Sequence, residues 1–255
     1  MKKTILGAAA ALLVGAAACS MNPSSVWEGY DVGKIRFEDK ATETRGSQIY
    51  HSIIADPEAY IAEQARTVLA TLYRSPEDSI PAIRTIHYTL EDSEGISAKS
   101  GHGNHVHIFY STRHIENTYH DDRERMLFET RGVLLHELTH AYQLEPQGIG
   151  GYGDNRVVWA FIEGMADAVR VANGGFGPDG RPRGGNYMDG YRTAGYFFVW
   201  LRDHKDPDFL YKFNKSTREV IPWSFDGAIK HVLGPEQDID ALWHEYQVAV
   251  GDIQE

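Results

Sequence analysis

The chain has 255 residues, of which 42% are apolar and 24% are charged, together with 25 Gly and 10 Pro. This composition is typical of a folded protein with one sizeable core, and it excludes collagen-like, low-complexity and wholly disordered chains. The net charge of −11 makes sequence-independent binding to nucleic acid unfavourable, so we expect no nucleic-acid partner.

The first 18 residues have the order of an export signal. Lys2 and Lys3 precede an uncharged run over 4–18, which is shorter than the roughly 20 residues of a membrane-spanning helix. Three alanines followed by Cys19, the only cysteine, resemble the lipobox of bacterial lipoproteins, although such boxes usually carry Leu at the first of these positions. We therefore expect export from a bacterial cell, lipidation of Cys19 and a membrane anchor there. An unanchored periplasmic or secreted protein is the alternative.

The rest of the chain predicts a tether followed by one domain. Residues 19–32 contain Ser, Pro and Asn and predict the tether, and residues 33–250 show no repeat and no change of composition. Alternating apolar residues predict strands at 34–37, 83–90 and 105–110, with turns over 91–103. Helical periodicity predicts helices at 56–73, 126–143, 157–172, 185–203, 206–217, 224–233 and 238–249. Strands first and helices afterwards predict an α+β fold, in which a small mixed sheet precedes a mainly helical C-terminal half.

A metal-binding motif lies in the predicted helix 126–143. In the sequence His136-Glu-Leu-Thr-His140, the two histidines are four residues apart and project from one helix face, where both imidazoles can bind one zinc ion. Glu137 lies beside that face and is expected to act as the general base that takes a proton from zinc-activated water. The motif predicts one Zn2+ per chain.

The third zinc ligand is predicted in the next helix. Glu163 and Asp167 are also four residues apart, on an otherwise apolar segment where an acidic pair is costly to bury without a cation. We assign Glu163 as the third ligand and Asp167 as the acceptor that orients a zinc-bound histidine. The reverse assignment, with Asp167 as the ligand, stays open, as does a solvated charged face without a metal.

These motifs resemble the basic secretory protein family, a group of zinc peptidases of plants and bacteria. The resemblance rests on the segments 132–143 and 161–170, on Gly190-Tyr191 with Thr193-Ala194, and on weaker similarity over about 33–248. It implies a zincin-like fold of the gluzincin type, in which HExxH is followed by a Glu ligand and an Asp four residues later. The acidic charge of this chain departs from the family name.

The resemblance also implies two further parts of the site. Tyr191 lies in the segment similar to the family's Gly-Tyr motif and is expected to donate a hydrogen bond to the developing oxyanion, unless it belongs to the aromatic core. Peptide substrates of such enzymes lie along an edge strand, and we predict that strand at Asn104, His105, Val106 and His107. His105 and His107 could in principle hold a second metal, but surface histidines are the simpler interpretation.

The sequence therefore predicts an exported zinc metallopeptidase of the HExxH…E type, acting on a peptide or protein substrate. Retention of Glu137 beside both histidines favours an enzyme, because a zinc scaffold alone needs no base. Two alternatives remain: a non-proteolytic zinc-containing surface protein, and an amidase acting on cell-wall peptides. The Gly-rich stretches 148–153 and 174–177 do not join a strand to a helix, so nucleotide binding is not expected.

Overall fold

The computed structural model describes residues 26–254, so the predicted export segment and Cys19 lie outside the described residues. One hydrophobic core extends from Trp27 to Tyr246. Residues 26–32, predicted as part of a tether, belong to this packed body, because Trp27 is 2% exposed and the carbonyl of Val32 accepts a hydrogen bond from the Tyr142 hydroxyl at 2.7 Å. The tether prediction is wrong for these residues, since burying a Trp side chain is strongly favourable.

A four-stranded mixed sheet forms the N-terminal part of the fold. Its strands are β1 (Lys34–Asp39), β2 (Thr85–Glu91), β3 (Ser97–His102) and β4 (His105–Ser111). They lie in the order β1-β2-β4-β3, with β1, β2 and β4 parallel and β3 antiparallel to β4. The three predicted strands are confirmed, whereas β3 lies in a stretch that was predicted to be turns.

The predicted edge strand is wrong. Residues 105–107 lie in β4, which pairs with β2 on one side and with β3 on the other, so β4 is an interior strand. The edge at this end of the sheet is β3, which has only β4 as a neighbour among the described strands. Its side chains are mostly exposed, and its outer backbone groups face away from β4.

The larger part of the described chain is helical, which confirms the α+β prediction. The helices are α1 (Arg45–Ile53), α2 (Pro57–Leu72), α3 (Thr112–Tyr119), α4 (Arg123–Tyr142), α5 (Arg156–Ala172), α6 (Tyr191–His204), α7 (Phe209–Glu219), α8 (Phe225–Leu233) and α9 (Ile239–Ala249). Side-chain caps begin several of them: Asp122 accepts from the N–H of Arg125 at the start of α4, and Asn155 accepts from that of Val157 at the start of α5. Among the described residues, no helix combines the length and the apolar character needed to cross a membrane.

Helices α4, α5 and α6 position the site. Contacts between His136 and Glu163, and between Glu129 and Arg170, show that α4 and α5 lie side by side in opposite directions. A Cβ at Gly164 of α5 would lie 2.7 Å from the Cβ of Ala194 in α6, so glycine there lets the two helices pack closely. The predicted helix 185–203 begins later, at Tyr191, because Gly190 with φ +64° interrupts the chain after a short 3-10 turn.

Candidate metal centre

Two imidazoles from α4 and one carboxylate from α5 converge on a common point. The Nε2 atoms of His136 and His140 are 3.1 Å apart, and the Oε2 atom of Glu163 lies 3.3 Å from the first and 3.6 Å from the second. Three donors bound tetrahedrally at about 2.0–2.1 Å from one zinc ion are roughly 3.3 Å apart. The spacing of these atoms therefore fits a single metal ion of that size.

The Oε2 atom of Glu163, which faces the two imidazoles, is buried without a hydrogen-bond partner among the described residues. Glu163 as a whole is 3% exposed. Although burial alone would raise the pKa of Glu163, the two nearby imidazoles hold it well below its usual range, so the group is a carboxylate at neutral pH. Within residues 26–254, His136, His140 and Glu163 are also the only group of His, Cys, Asp and Glu side chains arranged to hold a metal.

Asp167 contacts the Nδ1 side of His136 and supplies none of the three donor atoms that converge. The Nδ1 atom of His136 donates to Oδ1 of Asp167 at 2.7 Å, and Asp167 is 4% exposed. Burial opposes the charged imidazolium, but the hydrogen bond to Asp167 and the contact with Glu163 raise the pKa of His136 to about 10. This geometry matches the assignment of Glu163 as ligand and Asp167 as orienting acceptor, and it does not favour the reverse.

His140 has a polar neighbour that the sequence analysis did not assign. Gln143 ends α4 and is 6% exposed, and its amide nitrogen lies 2.8 Å from Nδ1 of His140. The sequence contained a signal for this contact: Gln143 comes three residues after His140 and therefore lies near the same helix face.

The outer oxygen of Glu163 is held by the loop between α4 and α5. The hydroxyl of Tyr152 donates to Oε1 of Glu163 at 2.5 Å, which leaves Oε2 directed at the imidazoles. Burial, followed by the hydrogen bond to Glu163, raises the pKa of Tyr152, so the phenol stays protonated. Gly148 and Gly150 in this Gly-rich loop have φ values of +80° and +90°, which glycine adopts readily. No periodic pattern singled out Tyr152.

A cavity of about 330 Å³ opens onto the converging atoms. Glu137 and Tyr191 line it, and so do Ser97, Ala98 and Lys99 of the edge strand β3. Glu137 is 6% exposed and stands next to the metal-binding face of α4. The structure thus brings the predicted base and the predicted hydrogen-bond donor to one cavity, and it replaces the predicted edge 104–107 with β3.

Tyr191 lies over His136 with a strained backbone. Its ring stacks on that of His136 with centroids 6.0 Å apart, and it meets Trp159 edge to face at 5.3 Å. Its φ of +41° lies in the left-handed region, which costs a non-glycine residue roughly 1–2 kcal/mol. Tyr191 is 46% exposed, so it is not part of the aromatic core that the remainder of α6 forms.

The histidines of β4 face a different part of the molecule. His107 lies opposite His87 of β2, with ring centroids 5.4 Å apart, and His105 contacts Thr85 through Nδ1 at 2.8 Å. In the described chain they form no group of three metal-binding atoms, so nothing in the structure supports a second metal here.

A family model described as "Peptidase of plants and bacteria" matches residues 32–246. The match covers most of the chain and agrees with the resemblance to the basic secretory protein family seen in the motifs. Searches of curated proteins and of solved structures each give no match.

Proposed function

Because the chain belongs to this peptidase family, we propose that it is a zinc-dependent metallopeptidase with a zincin-like site of the gluzincin type. The observation that carries the proposal is the convergence of two Nε2 atoms and one carboxylate oxygen at 3.1–3.6 Å from one another. A catalytic zinc commonly has three protein ligands and leaves one position for water or substrate.

Glu137 supplies the acid–base chemistry. Zinc, when bound, acts as a Lewis acid that polarises a peptide carbonyl and makes water more acidic. Glu137 borders the cavity beside the ligands, where its carboxylate takes a proton from the attacking water and later returns one to the leaving amine. Keeping this base in addition to both histidines favours an enzyme over a non-proteolytic zinc protein.

Tyr191 is the proposed donor to the developing oxyanion. Burial, together with the charges of Glu163 and Asp167, raises the pKa of its phenol, so Tyr191 is neutral and able to donate at neutral pH. Stacking on His136 and the fixed start of α6 hold the ring over the cavity. A donor fixed before the reaction stabilises charge without a reorganisation cost.

The edge strand β3 is the proposed peptide-binding strand. Its unpaired backbone groups lie at the cavity through Ser97, Ala98 and Lys99, so an extended peptide can add there as a further strand. Main-chain pairing of this kind places a peptide bond beside Glu137 without demanding a particular side chain.

Export and anchoring are proposed from the N-terminal sequence alone. The basic start, the uncharged run over 4–18 and the position of Cys19 support a bacterial lipoprotein whose peptidase domain acts outside the cytoplasm. Acid-stable labelling of the chain with palmitate, lost in Cys19→Ala, is the result expected in a bacterial host.

The test of the activity compares two carboxylate variants of α4. Glu137→Gln is expected to lower kcat/KM on a casein-derived peptide by about 100- to 10,000-fold, while the chain still binds one equivalent of zinc. Glu124→Gln, at an exposed position on the same helix, is the matched control and should stay within about twofold of the parent.

Metal removal completes the test. Chelation should abolish cleavage by the parent, and added zinc should restore it. Parent-level activity in Glu137→Gln, or full activity after complete chelation, would refute the proposal. A parent chain that binds zinc but cleaves no peptide would favour the non-proteolytic zinc protein.

A further inference from the structure

We propose that Gln143 is a positioning residue for the metal ligand His140. Its side-chain carbonyl Oε1 accepts a hydrogen bond from Nδ1–H of His140 and so holds the imidazole with Nε2 free for the ion. This inference rests on the proposed function, because it assigns His140 as a metal ligand.

The first argument concerns the proton on His140. A neutral imidazole carries one N–H, and a nitrogen that binds a metal must be the unprotonated one. Nε2 of His140 points at Nε2 of His136, 3.1 Å away, and at Glu163, so in the metal-bound site the proton belongs on Nδ1. The atom of Gln143 beside Nδ1 must then be an acceptor, which the amide nitrogen is not.

The second argument comes from the other end of the same amide. Oε1 of Gln143 is buried and has no hydrogen-bond partner among the described residues, which costs free energy. A half-turn of the amide exchanges its oxygen and nitrogen without changing its volume. The turned amide brings Oε1 to the 2.8 Å position beside Nδ1, where it pairs with the imidazole proton, and it moves the amide nitrogen to the place that Oε1 leaves.

The backbone of Gln143 is fixed for this role. Its N–H donates to the carbonyl of Thr139 at 2.8 Å as the C-cap of α4, and the residue is 6% exposed. The two imidazoles are therefore oriented differently: Asp167 supplies a negative acceptor to His136, whereas Gln143 supplies a neutral one to His140. A neutral acceptor adds no further negative charge beside Glu137 and Glu163.

The experiment measures the zinc affinity of the metal-free full chain by competition with a chromophoric chelator. Gln143→Leu should weaken zinc binding by about 10- to 100-fold, because the orienting acceptor is lost. Gln143→Glu should bind zinc at least as tightly as the parent, since a carboxylate beside Nδ1–H can only accept. Gln64→Leu is the matched control, because Gln64 of α2 is another buried glutamine with an unpartnered Oε1, and its zinc affinity should equal that of the parent.

A second readout follows the proton itself. In zinc-loaded parent protein, nitrogen-15 NMR should show His140 protonated at Nδ1, and this proton should exchange with solvent faster in Gln143→Leu. Gln64→Leu should leave that exchange unchanged.

Two results would overturn this inference alone: a parent and a Gln143→Leu chain that bind one zinc equally tightly, or a Gln143→Glu chain weaker than Gln143→Leu. The second result would mean that Gln143 acts as a donor. If Gln143→Leu does not fold, weaker zinc binding by Gln143→Glu than by the parent overturns the inference. A parent that binds no zinc would overturn the proposed function as well.

Discussion

Helices α4 and α5 carry two polar clusters that differ in whether their charges are balanced. One is the metal-site cluster, defined by His136, His140, Glu163 and Asp167. The other is the Glu129 cluster, defined by Glu129, Arg170 and His114. Glu129 lies seven residues before His136 in α4, and Arg170 lies seven residues after Glu163 in α5. There Arg170 donates from Nη2 to Oε2 of Glu129 at 2.9 Å and from Nε to the carbonyl of Gly175 at 3.1 Å, and His114 lies 3.0 Å from Oε1 of Glu129.

The comparison separates a structural cluster from a functional one. In the Glu129 cluster one carboxylate meets one guanidinium, and both oxygens of the carboxylate are paired. In the metal-site cluster two carboxylates share two imidazoles, and Oε2 of Glu163 has no partner among the described residues. Both clusters lie where α4 meets α5, with the carboxylate of Glu129 22% exposed and that of Glu163 4% exposed. The unmatched inner oxygen marks the cluster that needs a cation.

The largest expected effect is the loss of a ligand from the metal-site cluster. Glu163→Ala should weaken zinc binding by about 1,000-fold or more, since one of three protein donors is removed. Asp167→Ala should weaken it by about 10- to 100-fold, because only the orientation of His136 is lost. Isothermal titration with zinc measures both, and a larger loss in Asp167→Ala would reverse the two assignments.

The Glu129 cluster should respond in the opposite way. Glu129→Ala leaves Arg170 buried without its carboxylate, so we expect a loss of about 3 kcal/mol in the free energy of unfolding, while the zinc affinity stays within about threefold. Urea denaturation of the metal-free chain measures the first quantity, and zinc titration measures the second. A Glu129→Ala chain that is as stable as the parent but no longer binds zinc would show that the Glu129 cluster supports metal binding and not the stability of the fold.

A smaller effect is expected where α4 makes room for Arg170. A Cβ at Gly132 would lie 2.5 Å from Nε of Arg170, so Gly132→Ala should lower the free energy of unfolding by about 1–3 kcal/mol. Gly132→Ala should cost less when it is added to Arg170→Met than when it is added to the parent, because the shorter apolar side chain can move aside. Equal stabilities of the parent and Gly132→Ala would mean that the guanidinium is not held in place.

The smallest expected effect is the dependence of the Glu129 cluster on pH. Burial alone would raise the pKa of Glu129, but His114 and Arg170 lower it below its usual value near 4.5. Because the pKa of Glu129 is lower in the folded state than in the unfolded chain, its ionisation stabilises the fold at pH values above about 4.5. This contribution is lost as the pH falls from there through the folded-state pKa. The stability advantage of the parent over Glu129→Gln, both metal-free, should therefore shrink as the pH falls below about 4.5. A difference that grows on acidification would contradict the assignment.

The sequence predicted the parts of the molecule whose signals are local. Helices α4 and α5 have regular apolar spacing, and their i, i+4 pairs of ligating side chains place His136 with His140, and Glu163 with Asp167, on single helix faces. The structure then brings those two faces together. Helices α1 and α3 were missed because they are short and mostly polar, as in Arg45–Ile53, where Ile49 and Tyr50 are the buried apolar side chains.

The edge strand could not be predicted from local pattern. Strand β3 reads Ser-Ala-Lys-Ser-Gly-His, without β-branched residues or apolar alternation, and its pairing with β4 comes from the hairpin that joins them. Strand order is a tertiary property, so the apolar alternation of 105–110 gave no sign that both of its sides are paired. Tyr152 was missed for a similar reason, because a loop fixes its position.

The most direct test of the metal centre is an anomalous difference map from crystals of the zinc-loaded chain, recorded at the zinc absorption edge. We predict one peak about 2.0–2.1 Å from Nε2 of His136, Nε2 of His140 and Oε2 of Glu163. A peak beside His87 and His107 on the sheet, with none between α4 and α5, would contradict the account.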